Sequence, residues 1–335
     1  MRSKPEVSVV MSVYNSASDL GVTIDSILSQ EEVEFEFIVV NDGSNDKSGQ
    51  ILNEYARRDG RLRVIHQENS GLTRALIRGC HVARGEFIAR QDAGDISLPG
   101  RLKSQVAMLR EQKGCVFVSC WTDVVGPNGE FLYTSRGTGL ASSPINILLP
   151  QTEWSVVDGP THHSSVMFRA KEYVLCGGYR PEFYFGQDWD LWYRLAALGT
   201  FCTLQTTLCV CRFKLGSVSG SYKDDQDQFS QLCAKAMLRR ASGASDEPVL
   251  AEARQLLSSL KRKMRRHNDA AANYFIGKCL LKNGNGAAVG YLMAAIKDDP
   301  LHMKAWVSLA QSLLPFAKYV GPNPNSGAAG RSCKL

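Results

Sequence analysis

Four short β-rich runs alternate with amphipathic stretches along the first hundred residues, and this alternation limits the possible folds more than any other feature. The runs are VSVVMSV (7–13), FEFIVV (35–40), RLRVIH (61–66) and EFIAR (86–90). Helical periodicity fills the intervals between them, over 19–30, 45–58 and 72–83. Strands and helices that alternate at this spacing form a mostly parallel sheet with helices on both faces. We therefore expect an α/β domain.

Acidic side chains follow the predicted strands at positions where a parallel sheet binds ligands, beyond its carboxyl ends. Asp42 follows the second run, and Asp92 and Asp95 lie in QDAGD after the fourth. Asp188 and Asp190 lie in GQDWD, where a further helix is predicted to begin. Carboxylates in a short loop can hold a divalent cation, and another carboxylate can serve as a general base. Asp190 is assigned to the commoner capping role.

The last third of the chain differs in both composition and periodicity. Residues 1–221 hold 22 Lys/Arg and 24 Asp/Glu, whereas residues 222–335 hold 17 and 9, so the basic excess lies in the second part. Strand patterns stop near residue 224, and five helical periods follow. We predict a domain over 5–221, an all-helical region over 222–317, and a disordered Gly/Pro/Ser-rich tail over 318–335.

Composition excludes several classes of protein. No apolar run reaches the ~18 residues of a membrane span, and the N-terminus does not read as a secretory signal. Ten cysteines without a C-x-x-C pair indicate reduced thiols, so we expect a cytoplasmic chain. The basic amphipathic stretch 254–267 predicts either a solvated helix face or peripheral contact with anionic lipid at the inner face of the membrane. Nucleic acid is not an expected partner, because no aromatic residues interleave the charges.

Seven blocks, in order, resemble a family-2 glycosyltransferase of the GT-A fold, over residues 5–221. They are VSVVMSVYN, SILSQ, FEFIVVNDGSND, GLTRAL, GEFIARQDAGDISLPGRL, HSSVMFR and CGGYR…GQDWDLWYRLA. The resemblance implies a Rossmann-like, nucleotide-diphospho-sugar transferase fold joined to an acceptor-binding half. Residues 270–314 resemble about one and a half tetratricopeptide-type units.

The same resemblance implies roles for individual residues. Those for nucleotide-sugar binding are Ser12, Tyr14, Asp42, Arg74 and Asp92. Asp95, with Asp92, falls in the block that carries the metal-binding signature, which implies Mn²⁺ or Mg²⁺. Asp188 matches the catalytic base. Residues expected to contact the acceptor or the phosphates are His163, Gly178, Tyr179, Trp189 and Lys214. His162 is assigned to a turn, and Arg101 to the surface or to an ion pair, with substrate contact as its alternative.

Three positions depart from the family pattern. The usual Asp-Ala-Asp-Asp reads Asp-Ala-Gly-Asp here, with Gly94 in place of the second aspartate. The usual Glu-Asp reads Gln187-Asp188, and the usual Tyr-Arg-x-His reads Cys-Arg-Phe-Lys, which ends at Lys214. We hypothesise a weakly bound cation whose charge is partly replaced by Lys214.

These patterns together predict an inverting glycosyltransferase. Its donor would be a nucleotide-diphospho-sugar, and its acceptor a hydroxyl on a glycan or a lipid-linked precursor of surface polysaccharide or lipopolysaccharide. A dinucleotide-dependent oxidoreductase is disfavoured, because YNSASDLG stands where G-x-G-x-x-G would follow the first strand. An inactive scaffold that acts through its helical tail stays open because of Gly94 and Gln187.

Overall fold

The computed structural model describes residues 4–137, 156–157, 159–215, 223–260 and 269–313. The chain divides into two compact units between Asp269 and Ala270. The tail over 318–335 and most of the basic run at 260–267 lie outside the described residues.

The first unit is built on one mixed sheet. Its strands are β1 (Val7–Val13), β2 (Phe35–Asp42), β3 (Leu62–Gln67), β4 (Phe87–Asp92), β5 (Ile96–Ser97), β6 (Cys115–Val125), β7 (Phe131–Gly137), β8 (Val156–Val157), β9 (Met167–Arg169) and β10 (Thr200–Arg212). The main path runs β3-β2-β1-β4-β9-β6-β10-β5, and β7 pairs with β6 and β8. Strands β1 to β4 are mutually parallel, whereas β9 is antiparallel to both β4 and β6.

Helices cover both faces of this sheet. They are α1 (Leu20–Leu28), α2 (Ser48–Arg58), α3 (Leu72–His81), α4 (Arg101–Glu111), α5 (Ala170–Leu175) and α6 (Gln187–Ala196). Strand β1 shows why two faces are buried: Val9 and Met11 pack into one apolar cluster, and Val10, which lies between them, packs into the other. A fully apolar strand of this kind has no face to expose to water.

Two further helices of the first unit are α7 (Lys223–Ala241) and α8 (Glu247–Leu260). Phe229 and Val249 from these helices share a buried cluster with Phe183 and Tyr193, which lie just before α6 and on it. These two helices therefore belong to the first unit and pack against the residues that support α6.

The second unit contains α9 (Ala270–Lys282), α10 (Ala288–Asp298) and α11 (Met303–Leu313). Gly277 on α9 allows close approach of α10, because a Cβ atom at this position would lie 2.9 Å from Cγ of Leu292. Leu292, Ala305 and Leu309 form the core of this unit.

The α/β architecture predicted from the sequence, followed by a helical region, is confirmed. The predicted parallel sheet is found in β1 to β4, and the remaining strands make the sheet mixed. None of the helices among the described residues has both the length and the apolar composition needed to cross a membrane.

A buried cluster of charges joins α6 to the helices that follow it. Asp190 is fully buried and lies 2.6 Å from Nη2 of Arg194, with Arg180 and Arg240 each at 3.9 Å. Asp246 pairs with both Arg180 and Arg240 at 2.6 Å. Removing one partner of a buried ion pair leaves the other charges without compensation. Asp190 therefore fixes the position of α6.

We expect Asp190→Ala to lower the free energy of unfolding by about 3–5 kcal/mol, because it leaves the buried guanidinium of Arg194 without its ion-pair partner. Glu252→Ala is the control, since it removes a solvent-exposed ion pair with Lys235 between α7 and α8, which typically contributes at most ~1 kcal/mol. Urea unfolding of both variants is the measurement. Equal urea midpoints for the two variants would show that the Asp190 cluster contributes no more to the free energy of unfolding than an exposed ion pair does.

Candidate active site at the carboxyl ends of the parallel strands

The loops after β1 and β2 are tied to each other by hydrogen bonds. The backbone N–H of Asn15 donates to Oγ of Ser44 at 3.0 Å, and the N–H of Asn45 donates to Oδ1 of Asn15 at 2.8 Å. Asn15 adopts a positive φ of 47°, which turns the chain directly after Tyr14. The Tyr14 side chain is left 48% exposed at this edge, where it is available to a ligand.

Asp42 anchors the loop before α3. Its Oδ1 accepts hydrogen bonds from the backbone N–H of Ser70 at 2.9 Å and from Nε2 of Gln67 at 2.6 Å, and its Oδ2 accepts from the N–H of Gly71 at 2.8 Å. Both carboxylate oxygens are therefore engaged within the chain. Arg74, in the first turn of α3, is exposed.

Asp92 is paired with a buried guanidinium. Arg90, fully buried on β4, donates to Oδ1 of Asp92 and, at 3.3 Å, to Nε2 of His163. Burial by itself would raise the pKa of Asp92, but Arg90 and the two neighbouring histidines lower it to about 2. Ser12 on β1 lies beside Asp92 in the sheet register. Asp92 is thus an anion over the whole physiological pH range.

Asp95 lies at the centre of a second group of side chains. Its Oδ2 accepts from Oγ of Ser164 at 2.5 Å and lies 3.4 Å from Nδ1 of His162, and its Oδ1 accepts from the N–H of Arg212 at 3.1 Å. The Nε2 atom of His162 lies 3.0 Å from Sγ of Cys211. Burial raises the pKa of Asp95 above its ordinary value, and the charge of Asp92 adds to that shift.

Asp95, His162 and Cys211 place one potential ligand atom each within 4.8 Å of one another, so they could hold a metal ion. A set of one oxygen, one nitrogen and one sulfur does not fit Mg²⁺, which prefers oxygen ligands and octahedral geometry. The expected pair of Asp92 and Asp95 does not fit it either. Asp92 is ion-paired with Arg90, and both oxygens of Asp95 already accept hydrogen bonds.

Gly94 and Lys214 are in direct contact. Gly94 has a φ of +104°, and a Cβ atom built on it would lie 2.6 Å from Nζ of Lys214. The Lys214 ammonium pairs with Oδ2 of Asp19 at 2.8 Å. The ammonium therefore lies over the loop that carries Asp92 and Asp95.

Asp188 lies in the first turn of α6, where its Oδ1 accepts a hydrogen bond from the N–H of Trp189 at 2.9 Å. Burial raises the pKa of Asp188 above its ordinary value, and the negative charge of Asp92 adds to the shift, whereas His162 opposes it. A carboxylate with a raised pKa beside an anionic site is suited to accept a proton.

The residues predicted to contact the acceptor are mostly packed. Tyr179 is only 4% exposed, and its hydroxyl lies 2.8 Å from Nε2 of His163. Burial holds the pKa of His163 well below its ordinary value, so its ring is neutral. Gly178 has a φ of 64° and lies against the ring of Tyr173, and Trp189 packs on Trp192. These contacts favour a supporting role for Tyr179 and leave its predicted acceptor contact without a free ring face.

The fold thus brings Ser12, Asp92, Asp95, Asp188 and Lys214 to one edge of the sheet. Sequence reasoning missed His162, which contacts Asp95 and Cys211 rather than only completing a turn. The adjacent histidines were a usable signal for that role. The surface assignment of Arg101 was wrong, because its guanidinium is fully buried and donates to Oε1 of Gln91 at 2.9 Å and to the carbonyl of Arg90 at 2.7 Å.

Known proteins resemble this chain in both sequence and fold. The family model described as glycosyl transferase family 2 matches residues 8–173. The putative glycosyltransferase EpsE of Bacillus subtilis is 33% identical over 198 residues, which are 58% of this chain and 68% of EpsE. The uncharacterized glycosyltransferase EpsJ of the same organism is 40% identical over 116 residues, which are 35% of this chain and 33% of EpsJ.

Among solved structures, S. aureus TarS 1–349 in complex with UDP-GlcNAc has a TM-score of 0.57 at 18% identity, over 92% of this chain and 89% of that one. At this identity the likeness supports the fold alone. The sequence match to EpsE spans more than two thirds of that relative, and the family model covers the loops that follow β1, β2 and β4. The chain therefore belongs to glycosyltransferase family 2.

Proposed function

We propose that this glycosyltransferase transfers a sugar from a nucleotide-diphospho-sugar to an acceptor hydroxyl with inversion at the anomeric carbon. The observation that carries the proposal is the placement of Asp188 at the start of α6, where burial and the charge of Asp92 raise its pKa. One base beside one donor site supports a single displacement, since no second carboxylate is needed as a nucleophile.

In this reaction a carboxylate oxygen of Asp188 takes the proton of the acceptor hydroxyl. The hydroxyl oxygen forms a bond to the anomeric carbon while the bond from that carbon to the diphosphate oxygen breaks. The electron pair of the broken bond stays on the leaving nucleoside diphosphate, which needs stabilisation by positive charge. Asp188 acts only as the proton acceptor. Binding of the donor therefore depends on other residues.

The donor site we propose comprises Ser12, Tyr14, Asp42, Arg74 and Asp92. Tyr14 offers an exposed ring at the end of β1, and Asp42 holds the backbone at Ser70 and Gly71. A uridine diphosphate sugar is the first donor to test, because TarS, which shares the fold, has been crystallised with UDP-GlcNAc. The nucleotide base and the sugar stay open to the test below.

Several predictions from the sequence are tested by none of the observations above and stay predictions. They are a glycan or lipid-linked acceptor in surface polysaccharide or lipopolysaccharide synthesis, the acceptor or phosphate contacts of His163, Gly178, Tyr179 and Trp189, and peripheral membrane contact through 254–267. The domain limits at 221 and 317 and the tetratricopeptide-like character of 270–314 belong with them. Three helices packed around Leu292 are compatible with that last prediction.

A thermal-shift panel tests the donor class. We expect one of UDP, GDP or dTDP to raise the melting temperature, since a ligand at 100 times its Kd adds ~2.7 kcal/mol to the free energy of unfolding. NAD is the control, because the oxidoreductase alternative predicts that it stabilises the chain instead. Stabilisation by no nucleoside diphosphate would contradict the proposed donor site.

Asp188→Asn tests the base. We expect kcat to fall by about 10²–10⁴-fold, because the amide cannot accept the acceptor proton. Isothermal titration should give an unchanged Kd for the nucleoside diphosphate. Asp25→Asn, on an exposed face of α1, is the control and should transfer sugar at the native rate. Loss of nucleotide binding in Asp188→Asn would make this residue structural.

The raised pKa of Asp188 also sets a pH dependence. The base acts only when ionised, so activity is present above its pKa and is lost as pH falls through it. Because burial raises this pKa above the ordinary 3.8, kcat/KM should begin to fall at a pH higher than that of an exposed aspartate. A pH profile of kcat/KM measures the acid limb. An acid limb centred on the pKa of an exposed aspartate would show that Asp188 is not the base in the rate-determining proton transfer.

A further inference from the structure

Two departures from the family pattern lie 120 positions apart in the sequence, at Gly94 and Lys214, and they contact each other in space. A Cβ atom on Gly94 would lie 2.6 Å from Nζ and 2.8 Å from Cε of Lys214. Any side chain at position 94 would therefore displace the lysine. The absence of a side chain at 94 and the presence of a lysine at 214 form one local arrangement.

The Lys214 ammonium is held by one ion pair, and the two residues before Lys214 are held by hydrogen bonds of their backbone N–H groups. The preceding residues are fixed by bonds from the N–H of Phe213 to the carbonyl of Val125 at 2.8 Å and from the N–H of Arg212 to Oδ1 of Asp95. Asp19 immediately precedes α1, yet its carboxylate caps no amide of that helix and pairs with Lys214 instead. Lys214 and Asp19 keep 33% and 27% of their side chains exposed, so a ligand can reach the ammonium.

A lysine ammonium carries three hydrogen-bond donors, and Asp19 is its one ion-pair partner among the described residues. An aspartate at position 94 would have placed a second carboxylate against the ammonium and consumed this charge. With glycine there, the positive charge faces the loop of Asp92 and Asp95. An exposed ion pair is weak, so an incoming phosphate can share the ammonium with Asp19.

We propose that Lys214 is the cation that stabilises the donor diphosphate, and that the lack of a side chain at Gly94 leaves the space that the Lys214 ammonium occupies. Sugar transfer then proceeds without a divalent metal ion. This inference rests on the proposed function, because it assigns a further residue to that same site. It also accounts for the poor fit of Asp92 and Asp95 to Mg²⁺ or Mn²⁺, since neither carboxylate has to hold a metal.

In the transfer step, the bond between the anomeric carbon and the diphosphate oxygen breaks, and its electron pair stays on that phosphate oxygen. The N–H groups of Lys214 donate hydrogen bonds to the phosphate oxygens as this charge develops. The acceptor proton goes to Asp188, so Lys214 keeps all its protons. Stabilisation is strongest in the transition state, because the negative charge on the leaving group increases there.

The first experiment compares nucleotide binding and transfer with Mn²⁺ and with excess EDTA. Wild-type protein should keep at least about half of its kcat/KM in EDTA, because the stabilising charge belongs to the chain. Lys214→Ala should lose about 10²–10³-fold in kcat/KM, the range for one removed electrostatic contact. Lys103→Ala is the matched control, because it removes a solvent-exposed ion pair between Lys103 on α4 and Glu32. This variant should keep native activity.

Binding of UDP, GDP and dTDP, each compared with its own nucleoside, separates a phosphate contact from a structural role. Lys214→Ala should raise the Kd of the nucleoside diphosphate about tenfold and leave binding of the nucleoside unchanged. A purely structural lysine would weaken both ligands or lower the melting temperature.

A glycine pair provides a second, independent test. Gly94→Ala and Gly100→Ala both place a side chain at positive φ, +104° and +79°, but only the first displaces a neighbour, because nothing lies within 4 Å at Gly100. Gly94→Ala should reproduce the loss of diphosphate binding, whereas Gly100→Ala should not. Equal diphosphate binding in the two variants would overturn the role of Gly94.

Three outcomes are distinguishable. Retention of kcat/KM in EDTA with loss in Lys214→Ala supports the proposal. Loss of wild-type activity in EDTA, with full activity of Lys214→Ala in Mn²⁺, overturns it and leaves the glycosyl-transfer function intact. Failure of the wild type to bind any nucleoside diphosphate or to use any donor overturns the proposed function, and this inference with it.

Discussion

The buried guanidinium of Arg90 is the interaction on which the site depends. It is fully shielded from solvent on β4, donates to the carbonyl of Val10 on β1 at 3.2 Å, and pairs with Asp92. It also donates to His163, which precedes β9, so it joins β1 and β4 to the segment before the antiparallel strand β9. A buried cation of this kind must keep its partners, because unpaired it would be too costly to bury. The positions of Asp92 and His163 follow from that requirement.

The carboxylates at this edge of the sheet have different surroundings and therefore different roles. Asp42 holds a loop through both of its oxygens, whereas Asp92 is kept ionised by Arg90. Asp188 has a pKa displaced in the opposite direction, because burial raises it and the negative charge of Asp92 adds to that shift. Two carboxylates whose pKa values are pushed apart can serve as a permanent anion and as a proton acceptor. In the reaction we propose, Lys214, which lies over Gly94, supplies the positive charge that a leaving diphosphate needs.

Much of the fold was predictable because its local signals agree. The strand at 7–13 was predicted with its observed limits, and the helices predicted after residue 224 are found there, since apolar periodicity reports burial directly. The acidic residues after strands were predictable for the same reason, because parallel strand ends converge. The family blocks then connected those residues to glycosyl transfer. His162 and Arg101 were misassigned, because their roles come from partners distant in the sequence.

The sequence by itself determined the α/β class, the helical C-terminal region, the family and the carboxylates at the strand ends, because each depends on residues close together in the chain. Only the tertiary structure decided which side chains share a contact. The cluster of Asp95, His162 and Cys211, and the meeting of Gly94 with Lys214, join segments separated by as many as 120 positions. A hydrogen bond or an ion pair acts over about 3–4 Å, and no pattern along the chain specifies which distant residues the fold brings within that distance.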